Sequence, residues 1–251
     1  MHDPRDLGRA DGDTIILCVH GFLGGPDLFA PLLPALSQAY RVRTLLLPGH
    51  AAPAAHYRRT GKSQWQAYVT DELRRAQQAY AHVVLLGHSM GGLLSLNAHL
   101  TSPRPQDGLA LWETPLRLHL TWRWIRNDLT LAFVPQHRWD EIAQAYSREN
   151  SIQVNHCWDY LTLASPTADL MRLIRAGRRS LGEVCCPALV IHAGKDEIVS
   201  PASQRILLEG IPLARGLELS ESWHSMQTEN DRNRMVLEMA EWIEKIIRKV
   251  G

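Results

Sequence analysis

The chain has 251 residues, of which 45% are hydrophobic, which suits a single globular domain with a substantial core. Its formal net charge is +1, with 27 basic and 26 acidic residues, which argues against nucleic acid or an anionic membrane surface as a partner. The charged amino-terminal residues contain no apolar segment, so they do not predict a secretory signal. No apolar run is long enough to predict an integral membrane segment.

Short apolar runs alternate with helix-like segments along most of the chain. The runs that predict buried strands are TIILCVH (14–20), YRVRTLLLP (40–48), HVVLLG (82–87), GLALWE (108–113), PALVIHAG (187–194) and GLELSE (216–221). The clearest amphipathic helices are SQWQAYVTDELRRAQQAY (63–80) and DRNRMVLEMAEWIEKIIRKV (231–250). This alternation predicts an α/β fold with a mostly parallel central sheet of about six strands and helices on both faces.

One segment interrupts the alternation. Residues 117–183 show no buried-strand pattern and contain several tryptophans, so we predict a helical cap insertion there, with the core formed by 1–116 and 184–251. The tryptophans either pack the insertion against the core or line an apolar substrate pocket beneath a lid. The candidates for the second role are Trp122, Trp124 and Trp158.

The four cysteines do not predict disulfides. Cys185 and Cys186 are neighbours, which seldom pair with each other, and Cys18 lies within an apolar strand-like run. Together with Cys157 they predict four reduced thiols in a cytoplasmic protein.

A serine lies between two glycines at the break between a strand-like and a helix-like run, in VVLLGHSMGGLLSLNA (83–98). Gly87, Ser89 and Gly91 form the G-x-S-x-G pattern of a nucleophile elbow, in the strand–turn–helix context that this motif requires. The glycines leave room for a tight turn, which holds the serine in a strained conformation. The serine hydroxyl then projects from the carboxyl edge of the sheet, near the N–H groups of the following helix.

A serine nucleophile needs a base, and the base needs a carboxylate that orients it. His224 follows the last strand-like run and precedes the last helix, and Asp196 directly follows the strand ALVIHAG. Glu113, at the end of the preceding strand, is the competing acid, and otherwise a candidate for contacting the substrate. We expect Glu197 to turn away from the site and His192 to be a core histidine.

An oxyanion hole needs two backbone N–H groups aimed at the same oxygen. The residue after the nucleophile, Met90, supplies one, and Phe22, in the loop CVHGFLGGPDLF, supplies the other. Gly21 allows the backbone of this loop to approach closely, and His20 is expected to stabilise the loop. No second ligand stands at a metal-site spacing from His20, so we expect no metal and no organic cofactor.

The segments VHGFLG, LLGHSMGGLLSLNAH, AGKDEIVSP and SWHSMQTENDRNRMVLEMAEWIE resemble the α/β-hydrolase superfamily. Within it the chain is most similar to bacterial carboxylesterases and monoacylglycerol lipases with a small helical cap. The resemblance covers nearly the whole chain, with the cap matched least well. It implies that Ser89 is the nucleophile, Asp196 the acid and His224 the base, with Phe22 and Met90 as the oxyanion hole. The implied substrate is a small ester with an apolar acyl group.

Two departures from the family pattern stand out. Trp223 occupies the position before the base, where the family often has glycine, and it could narrow the leaving-group side or repack the loop. Few residues precede Thr14, so the antiparallel strands that open many of these sheets should be short or missing. Thioesterase, lactonase and carbon–carbon bond hydrolase activities share the same nucleophile and base and remain alternatives. So does a ligand-binding receptor on the same fold.

Overall fold

The computed structural model describes residues 2–9, 12–119, 121–122, 134, 136–152 and 162–250. In this part of the chain seven strands form one sheet in the order β1-β3-β2-β4-β5-β6-β7. They are β1 (Asp6–Leu7), β2 (Thr14–Val19), β3 (Arg41–Leu45), β4 (His82–His88), β5 (Gly108–Trp112), β6 (Ala188–Ala193) and β7 (Ala214–Leu219). All neighbouring pairs are parallel except β1 with β3. The fold class is therefore confirmed. The expected strand number is one too low, because the two-residue β1 is too short to show an alternation pattern.

Helices connect the strands. They are α1 (Leu33–Ala39), α2 (Ala54–Tyr57), α3 (Lys62–Ala79), α4 (Met90–Thr101), α5 (Glu141–Glu149), α6 (Ala164–Ser180), α7 (Pro201–Gly210) and α8 (Glu229–Val250). Short 3-10 helices lie at Pro26–Phe29, Gln136–Arg138 and Leu181–Glu183. Among the residues described, no helix has the length and apolarity that crossing a membrane would require.

The sheet is buried on both faces, which explains why its central strands read as continuous apolar runs. Every residue of β2 is buried, and successive side chains enter different cores. Ile15 and Leu17 pack with α3, α4 and α6 on one face, whereas Ile16 and Cys18 pack with α1 and α8 on the other. The sheet thus holds the ends of its strands rigidly at one edge.

In the described part of the segment between β5 and β6, two α-helices have different contacts. Helix α6 packs against α3 and α4, and its Leu173 and Ile174 join the core on that face. Helix α5 begins after Asp140, whose side chain accepts a hydrogen bond from the Ala143 N–H at 2.8 Å and so caps the helix. Just beyond α5, the Ser151 N–H donates to the Leu23 carbonyl at 2.9 Å, which ties this segment to the loop after β2.

The thiols of Cys18, Cys185 and Cys186 are free. Cys18 and Cys186 are buried, whereas Cys185 is exposed. Cys157 lies outside the described residues, so the prediction of a fourth reduced thiol stays a prediction.

Candidate active site

Ser89 occupies the corner between β4 and α4. Its backbone has φ 52° and ψ −122°, a conformation that residues other than glycine rarely adopt. The corner is held by two backbone hydrogen bonds, from the Ser89 N–H to the Trp112 carbonyl at 2.8 Å and from the Gly92 N–H to the Ser89 carbonyl at 3.0 Å. This is the strained strand-to-helix turn that the sequence predicts, and strain of this kind is typical of functional sites.

The two glycines of the motif are required by close packing of the backbone. A Cβ atom at Gly91 would collide with the backbone carbonyl of Val19. A Cβ atom at Gly87 would lie 2.5 Å from the Gly92 nitrogen, which is also too close. A side chain at Gly91 would clash with β2 and one at Gly87 with the start of α4, so the turn leaves no room for side chains at these positions, as the sequence predicts.

The loop after β2 lies beside the serine. A Cβ atom at Gly21 would lie 3.0 Å from the Ser89 Cβ, so the backbone of this loop approaches the nucleophile directly. Phe22 follows, and its ring packs edge-on against Tyr57 with the ring centroids 5.9 Å apart. Met90 is the first residue of α4 and is fully buried. Phe22 and Met90 thus flank the Ser89 corner, and their role as an oxyanion hole stays a prediction.

His20 holds this loop in place. Its Nε2 accepts a hydrogen bond from the Leu47 N–H at 3.1 Å, which leaves the ring proton on Nδ1 to donate to the Gly21 carbonyl at 3.0 Å. Burial, and then the proximity of His50, lower the pKa of His20 well below its usual value, so the ring is neutral. A neutral ring suits this arrangement, because it needs one nitrogen as donor and the other as acceptor.

Asp196 and His224, the acid and base predicted from the sequence, are hydrogen-bonded to each other. The His224 Nδ1 donates to the Asp196 Oδ2 at 2.7 Å, and both residues are buried. The other oxygen, Oδ1, accepts from the N–H groups of Ile198 and Val199, each at 2.7 Å. Burial by itself would raise the pKa of Asp196, but the attraction of His224 and the hydrogen bonds outweigh it and hold that pKa below its usual range. Asp196 is therefore a carboxylate that keeps the proton of His224 on Nδ1.

His88, the residue before the serine, joins the elbow to the loop that carries His224. Its Nε2 donates to the His224 backbone carbonyl at 3.1 Å, and the two ring centroids are 4.9 Å apart. Burial lowers the pKa of His88 to about 3, so this ring is neutral at physiological pH. Sequence reasoning assigned no role to this residue, because the contact spans 136 positions in the chain.

Contrary to the expectation from the sequence, Glu197 does not turn away from the site. Its carboxylate is buried, and one oxygen accepts from the His224 backbone N–H at 3.4 Å. The other oxygen accepts a hydrogen bond from the hydroxyl of Tyr146 in α5. The expectation was wrong because two donors, one from a helix 51 positions away, converge on this carboxylate.

Glu113, a predicted candidate for contacting the substrate, lies in the interior of the protein. It is 1% exposed and lies beside Asp196 in the interior, so a direct contact with substrate is not compatible with its position. Its Oε1 accepts from the Ala193 N–H, and its Oε2 lies 2.9 Å from the Nδ1 of His192. Burial and then the charge of Asp196 raise the pKa of Glu113 well above its usual value. His192 is buried as expected, but its ring faces this carboxyl.

The tryptophans suggested for the substrate pocket have different surroundings. Trp122 is 72% exposed, so the described residues do not enclose it. Trp223 is half-buried, and the Lys195 ammonium lies 4.7 Å from the centroid of its ring, within cation–π range. Trp124 and Trp158 lie outside the described residues. A pocket-lining role for Trp122, Trp124, Trp158 and Trp223 stays a prediction.

A mostly parallel sheet with a strained serine after its central strand, and an Asp–His pair on the loops after β6 and β7, defines an α/β-hydrolase. The chain belongs to the Hydrolase_4 family, described as serine aminopeptidase, S33, whose model matches residues 11–231.

Known proteins are similar over most of the chain. It is 25% identical over 241 residues to the thermostable monoacylglycerol lipase of Bacillus sp. (strain H-257), covering 94% of this chain and 92% of that one. It is 30% identical over 239 residues to the dihydrolipoyllysine-residue acetyltransferase component of the acetoin cleaving system of Pseudomonas putida, covering 89% of this chain and 62% of that protein. A structure from work on LipS and LipT, two metagenome-derived lipolytic enzymes, superposes with a TM-score of 0.76 at 23% identity, covering 97% of this chain and 98% of that one. The chain is thus a member of a hydrolase family, and the proteins that it is similar to include lipolytic enzymes.

Proposed function

We propose that the protein is a serine carboxylesterase that hydrolyses short- to medium-chain carboxylic esters or monoacylglycerols through an acyl-enzyme intermediate. The observation that carries the proposal is the buried Asp196–His224 hydrogen bond of 2.7 Å, whose histidine is joined through His88 to the Ser89 corner. An ionised acid, a histidine held in one tautomer and a strained serine are the parts that acyl transfer requires.

The first half of the reaction forms the acyl-enzyme. Because Asp196 keeps a proton on Nδ1 of His224, the Nε2 is the basic nitrogen that removes the proton from the Ser89 hydroxyl as its oxygen attacks the ester carbonyl. The backbone N–H groups of Phe22 and Met90 stabilise the oxyanion of the tetrahedral intermediate. His224 then donates its new proton to the departing alkoxide, which leaves as the alcohol.

The second half releases the acid. His224 removes a proton from water, which attacks the acyl carbonyl, and the tetrahedral intermediate collapses to the carboxylic acid and free Ser89. Asp196 stays ionised throughout and stabilises the transient imidazolium, as expected for a carboxylate with a lowered pKa.

The choice of an ester with an apolar acyl group is supported by a relative. The protein from Bacillus sp. (strain H-257) is a monoacylglycerol lipase and aligns over 94% of this chain. The helical segment between β5 and β6 carries the predicted cap. Its Tyr146 contacts Glu197 beside His224, and its Ser151 contacts the loop after β2. We therefore expect this segment to set the preferred acyl length.

Hydrolysis of p-nitrophenyl esters and monoacylglycerols over a series of acyl lengths tests the proposal. The wild type should show a chain-length optimum, Ser89→Ala should fall to the rate without enzyme, and a fluorophosphonate should add its phosphonyl group to Ser89 alone. Ser180→Ala, which removes a hydroxyl bonded to the Ala176 carbonyl in α6, is the matched control and should keep wild-type rates. Full activity in Ser89→Ala would contradict the proposal. So would a wild type that turns over acyl thioesters or lactones rapidly but hydrolyses none of the esters.

A further inference from the structure

Glu113 combines strain with burial of an ionisable group. It directly follows β5 with φ 48°, so it is a second residue with left-handed backbone at the edge of the sheet that carries Ser89. Its side chain is 0% exposed. Both features are unfavourable for a glutamate, and such combinations persist where the surrounding structure makes use of them.

The two buried carboxyl groups lie too close together for both to be ionised. A carboxylate oxygen from Glu113, another from Asp196 and a ring nitrogen of His224 all lie within 4.8 Å of one another. The side chains of Glu113 and Asp196 are both 0% exposed, so water does not screen the two carboxyl groups from each other. Two negative charges at this separation in the protein interior repel each other strongly, so one of the two groups carries a proton.

The hydrogen-bond partners decide which group carries it. Asp196 accepts from three donors, the N–H groups of Ile198 and Val199 and the Nδ1–H of His224, all at 2.7 Å. Glu113 accepts from the Ala193 N–H. More donors favour the ionised form, which places the negative charge on Asp196 and the proton on Glu113.

We propose that Glu113 is a positioning residue, a neutral carboxylic acid whose hydroxyl donates a hydrogen bond to Asp196 and helps to hold the carboxylate that orients His224. The inference rests on the proposed function, because it assigns a role within the same site. It extends the chain of hydrogen bonds from His224 through Asp196 to a third strand of the sheet, β5.

Other titratable groups surround Glu113. His192 faces it from β6, Asp196 and Glu197 from the loop after β6, and His224 from the loop after β7. The competing charge state is a protonated His192 beside an ionised Glu113. Burial opposes protonation of His192, because it lowers the pKa of this ring. The charges of Asp196 and Glu218 raise that pKa, but the effect of burial is larger.

Kinetics of two variants test the positioning role. Glu113→Gln keeps a neutral donor of the same shape, whereas Glu113→Met removes the donor at similar volume, and neither introduces a β-branched side chain at the positive φ. We expect Glu113→Met to lose about tenfold in kcat with KM nearly unchanged, as for a lost hydrogen bond to a charged group. Glu113→Gln should stay within about threefold of the wild type. Equal kcat in Glu113→Met and the wild type would overturn the proposal, and Glu72→Gln in α3 serves as a distant control.

The pH–rate profile of Glu113→Gln tests the charge state. If Glu113 is neutral, the acid limb of kcat/KM should coincide with that of the wild type. If Glu113 is ionised, the substitution removes a negative charge near His224, which makes the imidazolium less stable and moves the acid limb to lower pH. A shift of about half a pH unit or more in that direction would overturn the proposal.

Urea unfolding provides a readout independent of activity. A glutamate that is neutral in the folded protein ionises on unfolding above about pH 4.5, so raising the pH favours unfolding. The unfolding constant of the wild type, divided by that of Glu113→Gln, should rise about tenfold per pH unit above pH 5 until the folded carboxyl ionises. A ratio that does not change with pH would overturn the proposal. This test does not use Glu113→Met, so it applies even where that variant does not fold. If Ser89→Ala proves fully active, the proposed function fails, but this measurement still decides the charge of Glu113.

Discussion

The Nε2 of His88 lies 3.1 Å from the backbone carbonyl of His224, and this hydrogen bond connects the strand that precedes Ser89 to the loop that carries His224. His88 is fully buried, and its ring also packs edge-on against Trp112, with the centroids 4.6 Å apart. The side chain next to Ser89 in sequence thus supports His224 from its backbone side.

Two substitutions of His88 should separate the contribution of this hydrogen bond to activity from the contribution of ring packing. His88→Phe keeps a ring against Trp112 but loses the donor, and we expect kcat for ester hydrolysis to fall about tenfold, because the His224 loop loses a buried hydrogen bond. His88→Gln, whose amide nitrogen reaches a position similar to Nε2, should retain more activity than His88→Phe. Steady-state kinetics checks this order. Equal rates for the wild type and His88→Phe would show that the bond is not needed.

Asp196→Asn should lower kcat by about 10³- to 10⁴-fold, because an amide facing Nδ1 no longer holds the productive tautomer of His224. The amide oxygen can still accept from Ile198 and Val199, so the fold should be preserved. The measurement is kcat on the best ester, with circular dichroism to verify folding. A loss of less than tenfold would indicate that Asp196 is not the acid that orients the base.

Tyr146→Phe removes the hydrogen bond from the Tyr146 hydroxyl in α5 to Glu197 beside the base. We expect α5 to be cleaved faster by proteases, and kcat/KM to fall several-fold, because the helix loses a buried anchor to the site. Tyr40→Phe, which removes a hydroxyl bond to the Ala240 carbonyl on the far face of the sheet, is the matched control. Identical proteolysis rates in Tyr146→Phe and the wild type would count against an anchoring role.

The buried neutral histidines should make the protein less stable in mild acid. Burial lowers the pKa of His50 to about 4 and that of His88 to about 3, whereas the unfolded chain protonates histidine near its ordinary value of about 6.5. The unfolded state therefore binds more protons between these values, and the free energy of unfolding falls as the pH drops below about 6.5. Each such histidine contributes up to about 1.4 kcal/mol per pH unit.

Urea unfolding at pH 7 and at pH 5 tests this dependence. In His50→Gln the loss of stability between the two pH values should be smaller than in the wild type. The same loss in both proteins would show that His50 is protonated as readily in the folded state as in the unfolded state.

Local sequence signals predicted much of the site. The run from Val83 to Leu86 marks a buried strand, and the glycines around Ser89 mark a turn too tight for side chains, because both patterns depend on neighbours in sequence. Asp196 and His224 were found because each follows a strand-like run, and parallel strands bring their carboxyl ends to one edge of the sheet.

Besides Asp196, the site contains the carboxyl groups of Glu113 and Glu197, and only the tertiary structure decided what surrounds them. Glu113 receives its hydrogen bond from Ala193, 80 positions away, and Glu197 receives one from Tyr146, 51 positions away. Strand periodicity indicates that Glu113 ends a buried strand, but its charge depends on Asp196 arriving from another loop. The sequence by itself determined the fold class, the elbow and the residues available for the triad, since these follow from short-range pattern and turn chemistry. Only the packed structure decided which carboxyl orients His224 and which lies beside it, because proton affinity in the interior depends on partners contributed by distant parts of the chain.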